Sequence, residues 1–147
     1  MKIKEILFNE TDYSCALCGE RQVKSLTEHH IDGKNNEYDN RIILCHNCHH
    51  RVTNKKGITK IEVKARKKSL IKKTLTQYGV SALKLAYRNE FGVVATPLLL
   101  YHLVGMGYMK KKEEIEGYGD NNKDYIEVEA RYVVTPKGRK LHDKWLR

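Results

Sequence analysis

Two cysteine pairs, Cys15-Ala-Leu-Cys18 and Cys45-His-Asn-Cys48, share the Cys-x-x-Cys spacing. Each such pair presents two thiolates from one tight turn, and two pairs close a tetrahedral shell around one Zn²⁺. A shell of four thiolates has no open position, so Cys15, Cys18, Cys45 and Cys48 are expected to hold a structural zinc. The alternative for the same residues is a redox pair or cysteines without a ligand. Histidines cluster in the same region: His29-His30 between the pairs, and His49-His50 directly after Cys48. Once the cysteines have closed the zinc site these imidazoles are surplus. A neutral imidazole ligates divalent metals, and its ordinary pKa near ~6.5 suits proton abstraction at neutral pH. His29 and His30 brought near His49 would make a second metal site with open positions. Against that, adjacent residues on a strand point to opposite faces, and His49 or His50 could be a helix-surface residue. His46 and Asn47 sit inside the second knuckle, where hydrogen bonds to thiolates are an equal use for them. His102 and His142 lie far along the chain and read as structural or surface residues.

The elements that must position these side chains follow from local patterning. Leu26–Ile31 reads as a short strand, DGKNN as a turn, NRIILC as a second strand, and CHHRVTNKKG as a short helix stopped at Gly57. Residues 58–79 read as a helix with Ile61, Ala65, Ile71, Leu75 and Tyr78 on one face and Gly79 as its stop. Residues 80–147 read as a second small domain. In it VSALKLAYRNEF is a helix, and Thr96-Pro97 opens a helix over PLLLYHLV. Two strands, YMKKKEEIE and YIEVEARYVV, flank the turn-rich GYGDNNKD, and Thr135-Pro136 opens a final helix. The expected fold class is α+β, in three blocks: 1–57, 58–79 and 80–147.

Charge is distributed unevenly along the 147 residues. The net formal charge is +10, and residues 55–78 alone carry +8, against −1 for residues 1–54 and +3 for residues 79–147. Such a segment is either a solvated helix face or a surface that contacts phosphates. A basic chain of this size points to a polyanionic partner such as DNA. No apolar run has transmembrane length and the N-terminus carries no signal-like segment, so no membrane and a cytoplasmic location are expected. Reduced thiols in that compartment favour zinc over disulfides.

Taken together, EHHI, a Gly-containing loop, DNRIILC and HNCHH resemble the HNH endonuclease family, in its subset with a four-cysteine zinc. The resemblance covers about residues 12–54. It implies a ββα-metal fold that hydrolyses phosphodiester bonds with one divalent cation, Mg²⁺ or a transition metal. His29 matches the metal-ligand position and His49 the second ligand, on the helix. His30 matches the general base. Asn40 matches the asparagine that ties the hairpin loop and so orients the base, with Asn35 and Asn36 as competitors for that role. Some family members carry a further histidine four residues beyond the helix ligand; Thr53 stands there and Asn54 follows. The third ligand would then be Asn54 or water.

Residues 80–147 resemble the winged-helix class, with LVGMGYMKKKEE and YVVTPKGRKL as the wing region and DNNKD at its tip. Its expected recognition helix, PLLLYHLV, is largely apolar, whereas a helix reading the major groove displays Arg, Lys, Asn or Gln. A packing or dimerisation domain, giving a homodimer through this segment, is the competing expectation. Three functions are thus in play: a metal-dependent DNA endonuclease, a non-catalytic zinc-containing DNA-binding regulator, and an adaptor whose second domain recruits protein.

Overall fold

The computed structural model describes residues 2–120 and 124–147. Asn121, Asn122 and Lys123, the centre of the expected wing tip, lie outside the described residues. The chain is a mixed α+β protein with two small antiparallel sheets, divided into two compact units, Met1–Thr74 and Leu75–Arg147.

The first unit begins with helix α1 (Ile3–Glu10), continues through strands β1 (Leu26–His30) and β2 (Arg41–Cys45), and reaches helix α2 (His46–Thr53). Helix α3 (Lys60–Arg88) follows. β1 and β2 pair from Leu26 opposite Cys45 to His30 opposite Arg41. β2 is the centre of the unit. Ile42, Ile43 and Leu44 are fully buried, because α1 and α2 both pack on it and leave no solvent face for polar alternation. The first knuckle also docks on β2, through Ala16 N–H donating to the Ile43 carbonyl at 3.0 Å. The chain turns after Cys18 at Gly19, whose φ of +80° suits glycine.

Helix α1 is not among the elements that local patterning predicts. Lys2 precedes it without a side-chain cap, and its buried face, Ile6, Leu7 and Glu10, includes a charge that interrupts the apolar pattern. The reason for that charge is α3. Lys67 Nζ lies 2.7 Å from Glu10 Oε1, and both side chains are completely buried. The ammonium also stands 3.8 Å from the centroid of the Tyr38 ring, and the Tyr38 hydroxyl donates to Glu10 Oε2. Burial pulls the Lys67 pKa down to about 8 even though Glu10 opposes the shift. The buried stripe of α3 is therefore Val63, Lys67, Leu70, Ile71 and Leu75. Ile61, Ala65 and Tyr78, expected on that face, are exposed: the stripe runs through a lysine that an apolar pattern does not count, and Tyr78 lies past a break in the helix.

The expected stop at Gly79 is also displaced. α3 breaks at Thr76 (φ 65°, ψ 161°) and runs on through Gly79 to Arg88. A β-branched residue in that backbone region is strained. Thr76 Oγ1 accepts from Gly79 N–H at 3.2 Å, which makes it the N-cap of the second half. His102 Nε2 donates to the Leu75 carbonyl at 2.7 Å, satisfying an acceptor freed at the break.

The second unit contains strand β3 (Val93–Ala95), helix α4 (Pro97–Gly105), strands β4 (Met109–Tyr118) and β5 (Ile126–Val134), helix α5 (Pro136–Leu141) and a π-helical turn, His142–Leu146. The sheet order is β3-β5-β4. β3 is only three residues long, too short for a readable alternation. Thr135 caps α5 by accepting from Gly138 N–H at 3.0 Å and donating to the Gly107 carbonyl at 2.6 Å. Gly138 permits this seat, since a Cβ there would lie 2.1 Å from the Tyr108 carbonyl oxygen. His142 is buried and stacks on Tyr87 at 3.8 Å, a structural placement.

The buried pair yields a stability prediction. Lys67→Met leaves the Glu10 carboxylate without its cation and destabilises the first unit by about 3–5 kcal/mol. The double variant Glu10→Met/Lys67→Met recovers most of that loss. Urea unfolding of the three proteins measures both differences.

Candidate metal centre and histidine cleft

The two Cys-x-x-Cys turns lie at opposite ends of the β1–β2 segment, and antiparallel pairing of Leu26 with Cys45 draws them together. One ligand atom from each of Cys15, Cys18, Cys45 and Cys48 lies within 4.8 Å of every other, and all four are free thiols. Around a zinc with Zn–S bonds of ~2.3 Å, tetrahedral geometry puts sulfurs about 3.8 Å apart. Cys18 Sγ and Cys45 Sγ are 3.6 Å apart, which fits. The chemistry of the donors fits as well. Burial pushes the Cys15 thiol up, but the backbone N–H groups of Cys18, Cys45 and Leu17 outweigh it and bring the pKa down to about 7. Burial, and then its cysteine neighbours, push Cys48 strongly upward. Crowded thiolates of this kind need a cation among them. The cluster can hold a structural metal such as zinc. Cys45 has a second role as N-cap of α2, its Sγ accepting from Cys48 N–H at 3.4 Å.

None of the histidines belongs to that cluster. His29, near the end of β1, and His49, in the first turns of α2, meet edge to face with ring centroids 4.9 Å apart. Burial, followed by the neighbouring His49 and His30, holds the His29 pKa down at about 4. His29 is thus neutral at physiological pH, the form that ligates a metal. His30, the last residue of β1, lines a cleft of about 480 Å³ with His29. Ile31, Val52 and Ile58 supply apolar wall, and Lys55 and Lys60 supply charge.

The loop after β1 is closed from within by Asn40, which is 1 % exposed. Its Oδ1 accepts from Asp32 N–H at 2.8 Å, its Nδ2 donates to the Asn35 carbonyl at 3.0 Å, and its carbonyl accepts from Ile31 N–H at 2.8 Å. Asn40 therefore ties the loop through backbone groups rather than through His30. The side chain that meets His30 is Asn36, with Oδ1 2.9 Å from His30 Nε2. Thr53 and Asn54 are engaged inside α2. The Thr53 hydroxyl donates to the His49 carbonyl at 2.8 Å, and Asn54 Nδ2 reaches the His50 carbonyl and imidazole, each at 2.9 Å.

The basic segment is more varied than its charge suggests. Lys67 is buried, Arg66 Nε donates to the Ala16 carbonyl at 2.8 Å, and Lys60 and Lys64 both bind the Asp32 carboxylate. Those lysines hold the Asp32 pKa below the usual carboxylate range. Lys55, Lys56 and Lys72 remain exposed. Sequence reasoning missed Asp32 and Arg41 here. Arg41 is the one a pattern could have flagged, since it follows Asn40 directly in a strand otherwise apolar. No helix among the described residues is long and apolar enough to cross a membrane. The chain matches no protein-family model, no curated protein and no solved structure.

The cysteine cluster and His29 each generate an expected outcome. The purified protein carries one zinc per chain, and Cys48→Ser releases it together with amide protection in β1 and β2; metal analysis and hydrogen exchange read this out. For His29, the unfolded chain takes up a proton near pH 6.5 and the folded chain only near 4. Its contribution to stability is therefore intact above pH 6.5 and declines as pH falls toward 4. His29→Gln flattens the stability profile across that window in thermal melts recorded without added divalent cation.

Proposed function

We propose that this chain is a metal-dependent endonuclease that hydrolyses DNA phosphodiester bonds, built on an HNH-type ββα-metal module braced by a four-cysteine zinc. One observation carries the reading. His29 and His49 face each other from strand and helix, outside the cysteine cluster, and His30 opens into the cleft that His29 lines. A structural zinc site alone gives no reason for that second grouping.

In this reading His29 and His49 would hold one divalent cation, Mg²⁺ or a transition metal. The cation would supply charge neutralisation at the phosphate and stabilise the leaving 3′ oxygen. His30 takes the proton from the attacking water, a role suited to an imidazole near neutrality. Asn40 keeps the loop at its length and so keeps His30 at the mouth of the cleft. Lys55, at the cleft, and Lys56 and Lys72 beyond it offer ammonium groups to the DNA backbone.

Residues 80–147 support a second role in the same protein. The long β4–β5 hairpin suits a wing laid on DNA, and the class of the domain is then winged-helix. Its α4 favours a different use. Leu98 is 82 % and Tyr101 73 % exposed, beside exposed Leu99 and Val104. Such a surface reads no base edges and favours dimerisation or recruitment of a protein through this domain.

His30→Ala is expected to lower nicking of supercoiled plasmid in Mg²⁺, Mn²⁺ or Ni²⁺ by about 10²–10⁴-fold while DNA affinity stays within a few-fold. Wild-type protein that leaves plasmid intact with all three metals would instead favour a non-catalytic, zinc-containing DNA-binding regulator. Affinity should fall as salt rises, and Lys55→Gln, Lys56→Gln and Lys72→Gln together should flatten that dependence by up to about 0.9 in slope for each phosphate no longer neutralised. Filter binding from low to high salt measures it.

A further inference from the structure

A general base works only if the nitrogen facing the water carries a lone pair, and an imidazole has two nitrogens that exchange this role. At a strand end bordering solvent an imidazole exchanges between its two tautomers, with a modest preference for Nε2–H, unless a neighbouring group acts as a selector and locks one of them. His30 has such a selector. Its Nε2 lies 2.9 Å from Asn36 Oδ1, six residues along the loop. An amide oxygen only accepts, so Nε2 must carry the hydrogen and Nδ1 is left with the lone pair.

Asn36 is itself held at its backbone. Arg41 Nη2 donates to the Asn36 carbonyl at 2.7 Å, and Arg41 Nη1 donates to Glu28 Oε2 at 2.7 Å. Arg41 lies opposite His30 in the strand register, and Glu28 is two residues before His30 on the same strand. The guanidinium fork therefore fastens the loop at Asn36 to the strand that carries His30. With only 12 % of its side chain exposed, Arg41 is packed enough to act as a rigid brace. Asn40 closes the same loop at a separate point, through Asp32 and Asn35. The loop is thus pinned twice: Asn40 sets its closure, and Arg41 sets where Asn36 stands.

We propose that Asn36, braced by Arg41, is the positioning residue that fixes His30 as the Nε2–H tautomer and aims Nδ1 at the water. The proposal rests on the reading of His30 as general base. It moves the orienting role from Asn40, whose hydrogen bonds go to the loop backbone, to a residue on the exposed side of the loop.

The test separates tautomer from turnover. Long-range ¹H–¹⁵N spectra of the zinc-loaded full chain, without catalytic cation, report which ring nitrogen of His30 is protonated, with His30→Gln giving the assignment. Wild type is expected to show Nε2–H. Asn36→Ala is expected to populate both tautomers and to lower kcat about 10-fold at unchanged KM, with backbone amide spectra otherwise intact. Asn36→Asp keeps an acceptor in place and is expected to restore Nε2–H and most of the turnover lost in Asn36→Ala. An Nδ1–H imidazole in wild type, or a His30 spectrum that ignores Asn36→Ala, overturns the proposal. If the tautomer follows Asn36 while wild type cleaves no DNA, the hydrogen-bond assignment stands and the nuclease reading falls. If wild type cleaves and the tautomer does not follow Asn36, the reverse holds.

Discussion

Pairing of β1 with β2 is the constraint on which the first unit depends. That five-residue register sets Leu26 against Cys45 and His30 against Arg41. One end of the ladder brings the two cysteine turns to a common point. The other end places His30 beside the residue that braces its loop. A slip of one position would turn every side chain of β2 to the other face. The fully buried Ile42, Ile43 and Leu44 and the four converging thiols both resist such a slip. A unit of this size buries a limited core, so cross-links carry a large share of its stability. The thiol cluster can supply one by holding a metal. The buried Glu10–Lys67 pair, roofed by Tyr38, is the other, and it joins α1 to α3 across 57 residues of sequence.

Those two cross-links divide the work. The cysteine cluster holds the ends of the hairpin and the start of α2, since Cys45 is both a cluster member and the helix cap. That fixes the direction of α2, hence the position of His49 against His29. The Glu10–Lys67 pair ties α3 to α1, which packs on β2. A buried ion pair is a poor source of stability but a strong source of register, because any misplacement leaves a charge without its partner. Tyr38 links that pair to the loop containing Asn36 and Asn40. The loop that follows His30 is thereby supported on both sides.

The basic segment shows how composition and function diverge. Its excess of lysine and arginine suggests one uniform phosphate-facing surface. In the fold Lys67 is a core residue, Arg66 holds a knuckle carbonyl, and Lys60 and Lys64 share a carboxylate. Fewer charges are available to a polyanion than the net value implies: of the two exposed lysines that line the cleft, Lys55 and Lys60, the second is bound to Asp32. The second unit makes a similar point. Its hairpin is charged, yet its α4 is apolar and exposed, so one domain offers two surfaces with different chemistry.

Spacing alone made the cysteine cluster legible, because Cys-x-x-Cys is a local geometry that needs only a turn. The β1, β2, α2 order was legible for the same reason: turn residues and β-branched runs act over a few positions. Helix α1 and the break at Thr76 were not. Glu10 and Lys67 read as surface charges until each is seen to be the other's partner, and Thr76 reads as an ordinary helix residue until its hydroxyl is seen capping Gly79. The tandem histidines were visible as chemistry without roles. Whether His29 meets His49, and which asparagine meets His30, depends on where a strand end, a loop and a helix stop relative to one another. Local sequence determines ligand spacing and element type because those energies act over a few residues. Only the tertiary structure decides which side chains converge, because desolvation and hydrogen-bond pairing act between residues the chain keeps far apart.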